Sequence, residues 1–245
     1  WSSDVCSSDL YITDISDRFS TTTGKGAKLY YRNLDLTTAV AAAQWQSNDQ
    51  SVTFRREYIA SYPDKVIAVH LTASEPGQLS NHFYFWNAHN VKATYADSEG
   101  TFSGKLTTVS FNARMKVMAT GGQVTTDDTG VTVEGADEIL VLITGATDYD
   151  PLASGYVSGT AQLTQNVAST IQTASQKTWA SLLADHIADY SPIFDRCRLE
   201  LGGAAAKLIL QGHGRTVPLS PDIAELIESV HTQVALEGVL GGPGL

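Results

Sequence analysis

Two short stretches of this sequence carry residue types that could bind phosphate or assist a nucleophile. "GKGAK" at residues 24–28 combines two glycines with two lysines, but it lacks the third glycine of a dinucleotide fingerprint and the lysine–hydroxyl ending of a P-loop. His213 lies in "GHGR", yet no G-x-S-x-G sequence supplies a nucleophilic serine. Loop roles are therefore the expectation for both stretches.

Four aspartates have residue types that could hold calcium. Asp127 and Asp128 lie in "TDDTG", and Asp148 and Asp150 lie in "DYDP". Neither stretch provides the graded oxygen ligands and the distal glutamate of an EF-hand loop. Turn-forming aspartates are the expectation, and no metal site is predicted.

The aromatic run "HFYFW" at 82–86 could stack on the apolar C–H face of a sugar ring. The alternative is that these side chains form the core and surface of a strand. His186 shares a helical face with Leu182, Leu183 and Tyr190, which favours a hydrogen-bonded packing histidine over a catalytic one.

These residues do not assemble a nucleophile, a base and an oxyanion site, or a recognisable pair of carboxylates. Glu57 and Asp64 are single carboxylates on or near strands, without a partner that the sequence identifies. We therefore predict no catalytic, cofactor-binding or metal-binding residue in this chain, and no cofactor.

The elements that would position these side chains are strands up to about Gly145. "VTFRREYIA" (52–60) and "KVIAVHLTA" (65–73) flank the turn sequence "SYPDK" and predict a hairpin. "TVSFNARMKVMA" (108–119) alternates apolar and polar residues, and the chain then folds back through an Asp-Asp-Thr-Gly turn. "DEILVLITGAT" (137–147) is almost continuously apolar, which predicts a strand covered on both faces.

The hydrophobic period changes to that of helices after "DYDPLASGY". Leu163, Val167 and Ile171 are spaced four apart in 160–175, and a second helical pattern covers 178–201. Pro192 should end or kink the second helix. "RLELGG" is expected to return as a strand, and 222–236 is expected to form one more helix.

The second helix should bury one face against neighbouring structure. The residues predicted to form that face are Trp179, Leu183, Ile187 and Tyr190.

The composition is acidic and moderately apolar. The formal net charge is −10, and 42% of the residues are hydrophobic. An acidic surface without a Lys/Arg cluster disfavours nucleic acid and anionic membrane surfaces as partners. No apolar run approaches the roughly 20 residues of a transmembrane helix, so no membrane insertion is predicted.

The first ten residues, "WSSDVCSSDL", show neither the period of a strand nor that of a helix. They also lack the basic start and apolar run of a signal peptide. A DNA string resembling the adapter of common short-read sequencing libraries translates to these ten residues in order. We therefore interpret residues 1–10 as translated adapter that makes few contacts and pairs with no strand; a natural Ser/Asp-rich tail is the alternative.

Excluding residues 1–10 changes two counts. The acids fall from 26 to 24 against 16 bases, which gives a net charge of −8. Cys197 becomes the single cysteine, so cysteine usage does not distinguish an oxidising from a reducing compartment.

Two longer segments carry a resemblance to a known family. They are R-E-x-x-A-S-x-P-D-x-V-I at 56–67 and H-I-A-D-Y-x-x-x-F-D-R at 186–196, and further collinear matches extend over 11–202. The sequence resembles the N-terminal domain of glycoside hydrolase family 95, the α-L-fucosidase-type enzymes.

The resemblance implies a mainly β fold, an antiparallel, galactose-mutarotase-like super-sandwich followed by a helical linker. The domains expected are adapter at 1–10, a partial β-sandwich at 11–158, the helical linker at 159–202, and a departing segment at 203–245. The opening family motifs are absent, which implies that part of the sandwich is missing.

The parent enzyme would hydrolyse terminal α-L-fucosides of glycans with inversion, on carboxylates of a catalytic α/α toroid that this chain lacks. The toroid is then an intramolecular partner, and the "WNAHN" turn at 86–90 is the candidate loop lent to the substrate cleft. Localisation stays open, and a secreted or periplasmic parent is compatible with the resemblance. A free-standing carbohydrate-binding or structural β-module is the alternative function.

Overall fold

The computed structural model describes residues 8–14, 28–87, 91–200, 207–210 and 215–218. These residues form strands and two helices. The strands are β1 Ser8–Asp14, β2 Lys28–Asp35, β3 Val40–Gln46, β4 Thr53–Ser61, β5 Val66–Ala73, β6 Leu79–Asn87, β7 Thr94–Ala96, β8 Glu99–Lys105, β9 Ser110–Thr120, β10 Gln123–Thr126, β11 Val131–Ala136, β12 Glu138–Thr147, β13 Cys197–Glu200, β14 Lys207–Leu210 and β15 Arg215–Pro218. The helices are α1 Thr160–Ala174 and α2 Trp179–Phe194.

Two antiparallel sheets dominate the first of two compact units, which spans 1–188. Among the described residues, the small sheet has the order β1-β6-β11-β10 and the large sheet the order β2-β3-β4-β5-β12-β9-β8-β7. The second unit, 189–245, contains the antiparallel sheet β13-β14-β15. The mainly β architecture with helices after the sheets confirms the predicted fold class, and β13 confirms the returning strand.

The two sheets of the first unit pack face to face through their alternating apolar residues. The buried side chains of this sandwich core include Phe54, Leu71, Phe83, Met115, Val117, Val131, Val133, Ile139 and Val141. Each comes from a position that points inward by the two-residue period of a strand. This side of the large sheet is called the inner face below, and the opposite side the helix face.

Strand β12 is buried on both faces, as its continuous apolar sequence predicted. Ile139 and Val141 belong to the sandwich core, whereas Leu140 and Leu142 belong to a second core with residues of α1 and α2. β12 lies between β5 and β9 in the large sheet. An interior strand with a layer on each side cannot carry the alternating polar pattern of a half-solvated sheet.

The β4–β5 hairpin forms where "SYPDK" predicted it. Ser61 pairs with Val66, and the Lys65 amide donates to the Tyr62 carbonyl at 3.2 Å. The β10–β11 hairpin also follows the prediction, because Asp127 accepts hydrogen bonds from the Thr129 and Gly130 amides in its turn.

Helix α2 buries a face that differs slightly from the predicted one. Leu182 and His186 are the buried residues, while Trp179, Leu183, Ile187 and Tyr190 are half-buried. The buried face of α2 is therefore centred on Leu182 and His186, and the four predicted residues lie on either side of it. Pro192 is exposed, and the helix ends two residues beyond it at Phe194.

The expectation that residues 1–10 pair with no strand is wrong for residues 8–10. Ser8, Asp9 and Leu10 pair with Asn87, Trp86 and Phe85 of β6. Main-chain hydrogen bonds require no particular side chain, so pairing that starts in "YIT" continues backward along the same edge. Trp1 and the helix expected at 222–236 lie outside the described residues.

In the described part of the chain, neither helix has the length and apolar character required to cross a bilayer.

We expect Leu142→Ala to destabilise the fold by roughly 2–5 kcal/mol, because Leu142 is fully buried between the large sheet and the helices. Urea denaturation of the purified chain measures this effect. Leu152→Ala is the control, since Leu152 is 95% exposed and its loss should change the free energy of unfolding by less than about 0.5 kcal/mol. Equal effects of the two substitutions would contradict the assigned core.

The β3–β4 turn contains a carboxylate with a lowered pKa. Hydrogen bonds from Ser47 and Ser51 lower the pKa of Asp49 to about 2. A carboxylate with a lowered pKa stabilises the folded state above its ordinary pKa, and this stabilisation is lost as the pH falls through the folded value. We therefore expect Asp49→Asn to reduce the loss of stability between about pH 4 and pH 2.

The measurement for Asp49 is the urea midpoint across that pH range. Glu75→Gln is the control, because Glu75 is exposed and accepts no hydrogen bond within the described structure. If the urea midpoint of Asp49→Asn depends on pH as that of the unsubstituted chain does, the Asp49 hydrogen bonds do not contribute to acid sensitivity.

Candidate functional site

Ionisable and aromatic side chains converge at one place on the helix face of the large sheet. The group consists of Arg55, Glu57, His70, Glu138 and Trp179, and we call it the histidine cluster. Glu57 and His70 are cross-strand partners on β4 and β5, and Glu138 begins the neighbouring strand β12. Because each lies at a helix-face position of its strand, the three side chains meet on one side of the sheet.

His70 is the centre of this cluster. Its Nε2 lies 2.8 Å from Glu138 Oε1, which is a hydrogen bond, and its Nδ1 lies 3.6 Å from Glu57 Oε2, which is too long for one. The Trp179 ring stacks on the imidazole with centroids 4.7 Å apart and an interplanar angle of 19°. His70 is consequently 8% exposed.

Glu57 also forms an ion pair with Arg55. Arg55 Nη2 donates to Glu57 Oε1 at 2.7 Å, and this hydrogen bond and charge raise the pKa of Arg55. Both carboxylates of the cluster therefore have partners. The side chain of Glu57 is 19% exposed, and Trp179 occupies the space above His70. This arrangement positions helix α2 on the sheet.

A second polar group joins the β4–β5 turn to the two helices. Lys177, in the loop between α1 and α2, donates to Asp64 of the turn and to Asp185 Oδ2 of α2, the latter at 2.7 Å. The Asp64 side chain is only 5% exposed and also accepts from Ser61 Oγ at 2.6 Å. Hydrogen bonds to Asp185 and Asp64 raise the pKa of Lys177. We call this group the lysine clamp.

His186 has the structural role that its helical spacing indicated. It is buried, and its Nε2 lies 3.0 Å from the Thr38 carbonyl in the β2–β3 turn. This contact ties α2 to the edge of the large sheet.

Three of the four aspartates considered for calcium serve as turn and strand anchors. Asp148 is buried and accepts from the Ser110 amide at 2.7 Å, and Asp150 accepts from the Leu152 amide at 2.9 Å. Asp127 caps its own turn, and the Thr129 hydroxyl and amide lower its pKa. Among the described residues, no three His, Cys, Asp or Glu side chains come close enough to hold a metal ion.

The "HFYFW" run divides between the two faces of β6. Phe83 is fully buried and Phe85 is half-buried, whereas His82, Tyr84 and Trp86 point outward by strand alternation. Tyr84 stacks on Tyr11 of β1 with centroids 5.1 Å apart, and Trp86 is 49% exposed. The core-and-surface interpretation therefore holds for the run as a whole, and its outer residues form an aromatic surface.

Several predicted candidates cannot be placed. Residues 24–27 of "GKGAK", residues 88–90 of "WNAHN", and His213 lie outside the described residues. Lys28 begins β2 and Trp86 and Asn87 end β6.

The sequence interpretation did not find the histidine cluster or the lysine clamp. A signal existed for the former, since Glu57 and His70 fall at matching distances from the predicted hairpin turn. The stacking contact between His70 and Trp179 joins residues more than a hundred positions apart, and no local sequence pattern indicates it.

A family profile described as "Glycosyl hydrolase family 65, N-terminal domain" matches residues 7–152. "Alpha-L-fucosidase 2" of Arabidopsis thaliana is 26% identical over 257 aligned residues, covering 92% of this chain and 29% of that protein. "Probable alpha-fucosidase A" of Aspergillus niger is 24% identical, covering 70% of this chain and 23% of that protein. The chain thus spans less than a third of each of these relatives.

A solved structure titled "Putative kojibiose phosphorylase from human microbiome" matches with a TM-score of 0.58 at 11% identity, covering 80% of this chain and 29% of that one. At this identity the likeness shows the fold alone. The family match and the relatives agree with the sequence analysis on an N-terminal domain of a glycoside hydrolase, while the matched profile carries the number 65 rather than 95.

We expect Trp179→Ala to destabilise the chain by roughly 2–4 kcal/mol, because it removes a half-buried ring and uncovers His70. Trp179→Phe should restore most of the loss, since a phenyl ring still stacks on the imidazole. Trp86→Ala is the matched control on an exposed tryptophan and should cost clearly less. Urea denaturation compares the three variants, and equal losses for Trp86→Ala and Trp179→Ala would disprove the role of the stack.

Proposed function

Because this chain belongs to the family of glycosyl hydrolase family 65 N-terminal domains, we propose that it is the non-catalytic sandwich domain of a longer α-L-fucosidase of the family 95 type. The similarity to two proteins named as fucosidases supports the fucoside specificity. The single observation that carries the non-catalytic role is that both carboxylates raised by the sequence analysis, Glu57 and Asp64, are held in structural ion pairs.

The parent reaction under this proposal is hydrolysis with inversion at the anomeric carbon of fucose. One carboxylic acid protonates the leaving glycosidic oxygen as the C–O bond breaks, and a second carboxylate takes a proton from the water that attacks the opposite face. The two carboxyl groups of such enzymes are about 6.5–9.5 Å apart with room for that water. Trp179 covers His70 in the histidine cluster, and Lys177 bridges the two carboxylates of the lysine clamp, which supports a structural role for both groups.

The role left to this domain is support of a separate catalytic domain, proposed here as an α/α toroid that follows in the same polypeptide. Helices α1 and α2 follow the sandwich within the proposed linker at 159–202 and pack on the helix face of the large sheet. Three ties fix α2 and the interhelix loop to the sheet: the histidine cluster, the lysine clamp and the His186 contact. A linker fixed in this way would transmit a defined orientation to the domain that follows it.

We expect the 245-residue chain alone to release no chromophore from an aryl α-L-fucoside above background, and the longer gene product to hydrolyse it. In the longer product, Glu57→Gln and Asp64→Asn should leave kcat within about threefold, because neither group touches substrate. Circular dichroism checks that each variant is folded. Initial formation of the β-anomer, followed by NMR, tests inversion.

Activity of the isolated chain that one carboxylate substitution abolishes would overturn the proposal. Activity of the longer product on another glycoside but not on a fucoside would overturn the substrate class alone.

A free-standing carbohydrate-binding module is the second candidate, and the outward residues Tyr11, Tyr84 and Trp86 favour it. Aromatic faces bind sugars through their apolar C–H surfaces. Affinity electrophoresis against 2′-fucosyllactose-conjugated gels, with lactose gels and Trp86→Ala as controls, tests this candidate. Reading onward in the parent DNA also separates the two, because an early in-frame stop supports the module and a helix-rich continuation supports the hydrolase.

A further inference from the structure

The histidine cluster places an imidazole between two carboxylates underneath a helix. Histidine is the residue type whose charge ordinarily changes between about pH 5 and about pH 8. Nε2 of His70 lies 2.8 Å from Glu138 Oε1, and Nδ1 lies 3.6 Å from Glu57 Oε2. The Nδ1 atom is buried and has no hydrogen-bond partner among the described residues.

The two ring nitrogens of His70 cannot both be satisfied while the imidazole is neutral. A carboxylate oxygen only accepts, so the hydrogen bond to Glu138 requires the single proton on Nε2. Nδ1 then holds a lone pair that faces the Glu57 carboxylate with no donor between them. A buried polar atom without a partner costs stability, and a proton on Nδ1 removes this cost because Glu57 Oε2 is then an acceptor facing a donor.

The charges that face His70 favour the protonated ring. They are Glu57 and Arg55 of β4 and Glu138 of β12. Arg55 bonds Glu57 Oε1 and lies beside Tyr31 of β2, so Glu57 Oε2 is the oxygen that faces Nδ1. With a neutral imidazole the two carboxylates outnumber the one guanidinium, and an imidazolium brings the charges into balance. Burial opposes a charged ring, but here that charge is paired on two sides.

The other elements packed near His70 bring no competing charge to the ring in the described structure. Lys177 bonds Asp64 and Asp185, and His186 bonds the Thr38 carbonyl. The remaining neighbours in the core between the large sheet and the helices are apolar, and they include Met118, Ile171, Ala174, Leu182 and Leu183.

Trp179 is the contact through which the charge of His70 reaches helix α2. The two rings stack with centroids 4.7 Å apart and an interplanar angle of 19°. The face of an indole attracts a cation, and the attraction increases where water is excluded. His70 is 8% exposed, so water is largely excluded from this stack.

We propose that His70 is a proton-controlled latch for helix α2. A proton from water adds to the lone pair of Nδ1, the imidazolium then bridges Glu57 and Glu138, and it attracts the Trp179 ring more strongly. The docked helix favours the protonated ring, so the added stability is present at the acidic end of the histidine range and is lost as the pH rises. This inference does not depend on the proposed function, because every contact lies within the first compact unit.

The test is hydrogen exchange of the α2 amides of residues 183–188 in the 245-residue chain at about pH 5.5 and about pH 8. Each rate is divided by the intrinsic rate at the same pH. Protection should be about tenfold greater at the acidic pH, which is the effect of one charge-assisted hydrogen bond. In His70→Gln the two values should agree within about twofold, because glutamine can donate to Glu138 but takes up no proton.

Three further variants identify the source of the pH response. Glu57→Gln removes the charge that faces Nδ1 and should reduce the response to less than about threefold. His82→Gln is the matched control, since His82 lies in the small sheet and its Nδ1 is 2.9 Å from Thr132 Oγ1. His186→Gln is the control within α2. Both controls should keep the tenfold ratio, whatever they do to the overall protection.

Several results would overturn the inference. Equal protection of the unsubstituted chain at the two pH values would show that no latch exists. A response that persists in His70→Gln, or that disappears in His186→Gln, would place the proton elsewhere. Circular dichroism checks folding, and if His70→Gln does not fold, a full response in Glu57→Gln overturns the inference instead. Fucoside hydrolysis is measured separately, so failure of the latch and failure of the proposed function are distinguishable.

Discussion

The burial of β12 on both faces is the constraint on which the rest of this structure depends. Its inward residues complete the sandwich core and its other residues form the floor for the helices. Removing either layer would expose a row of large aliphatic side chains. The cost in folding free energy would be about 25 cal/mol for each Å² of apolar surface exposed. The sandwich and the helices up to residue 188 therefore form one compact unit.

Polar contacts then decide how the helices sit on that apolar floor. Apolar packing is not directional, so it allows a helix to slide or rotate. Three directional contacts fix the position of the helices. They are the stack of Trp179 on His70, the hydrogen bonds of Lys177 to two aspartates, and the hydrogen bond of His186 to a turn carbonyl. The two segments that carry the family resemblance contribute to these contacts, which gives the resemblance a structural basis.

Four of the acidic side chains on and near the sheets have structural partners. Glu57, Asp64, Glu138 and Asp148 each bond a cation, a histidine or a backbone amide. A general acid of a glycosidase also needs a cavity for substrate beside its carboxyl group. Under the proposed function, chemistry on a sugar belongs to the separate domain that this one would support.

The sequence by itself determined strands β4, β5, β9 and β12, the two hairpin turns and the two helices, because each depends on a period or a turn residue within about fifteen positions. It also determined that His186 packs, since its helical neighbours are apolar. Only the tertiary structure decided which face of α2 is buried, that residues 8–10 pair with β6, and that Glu57 and Asp64 have cationic partners. Each of these depends on residues brought together from distant parts of the chain, and side-chain partners across such distances leave no local period to read.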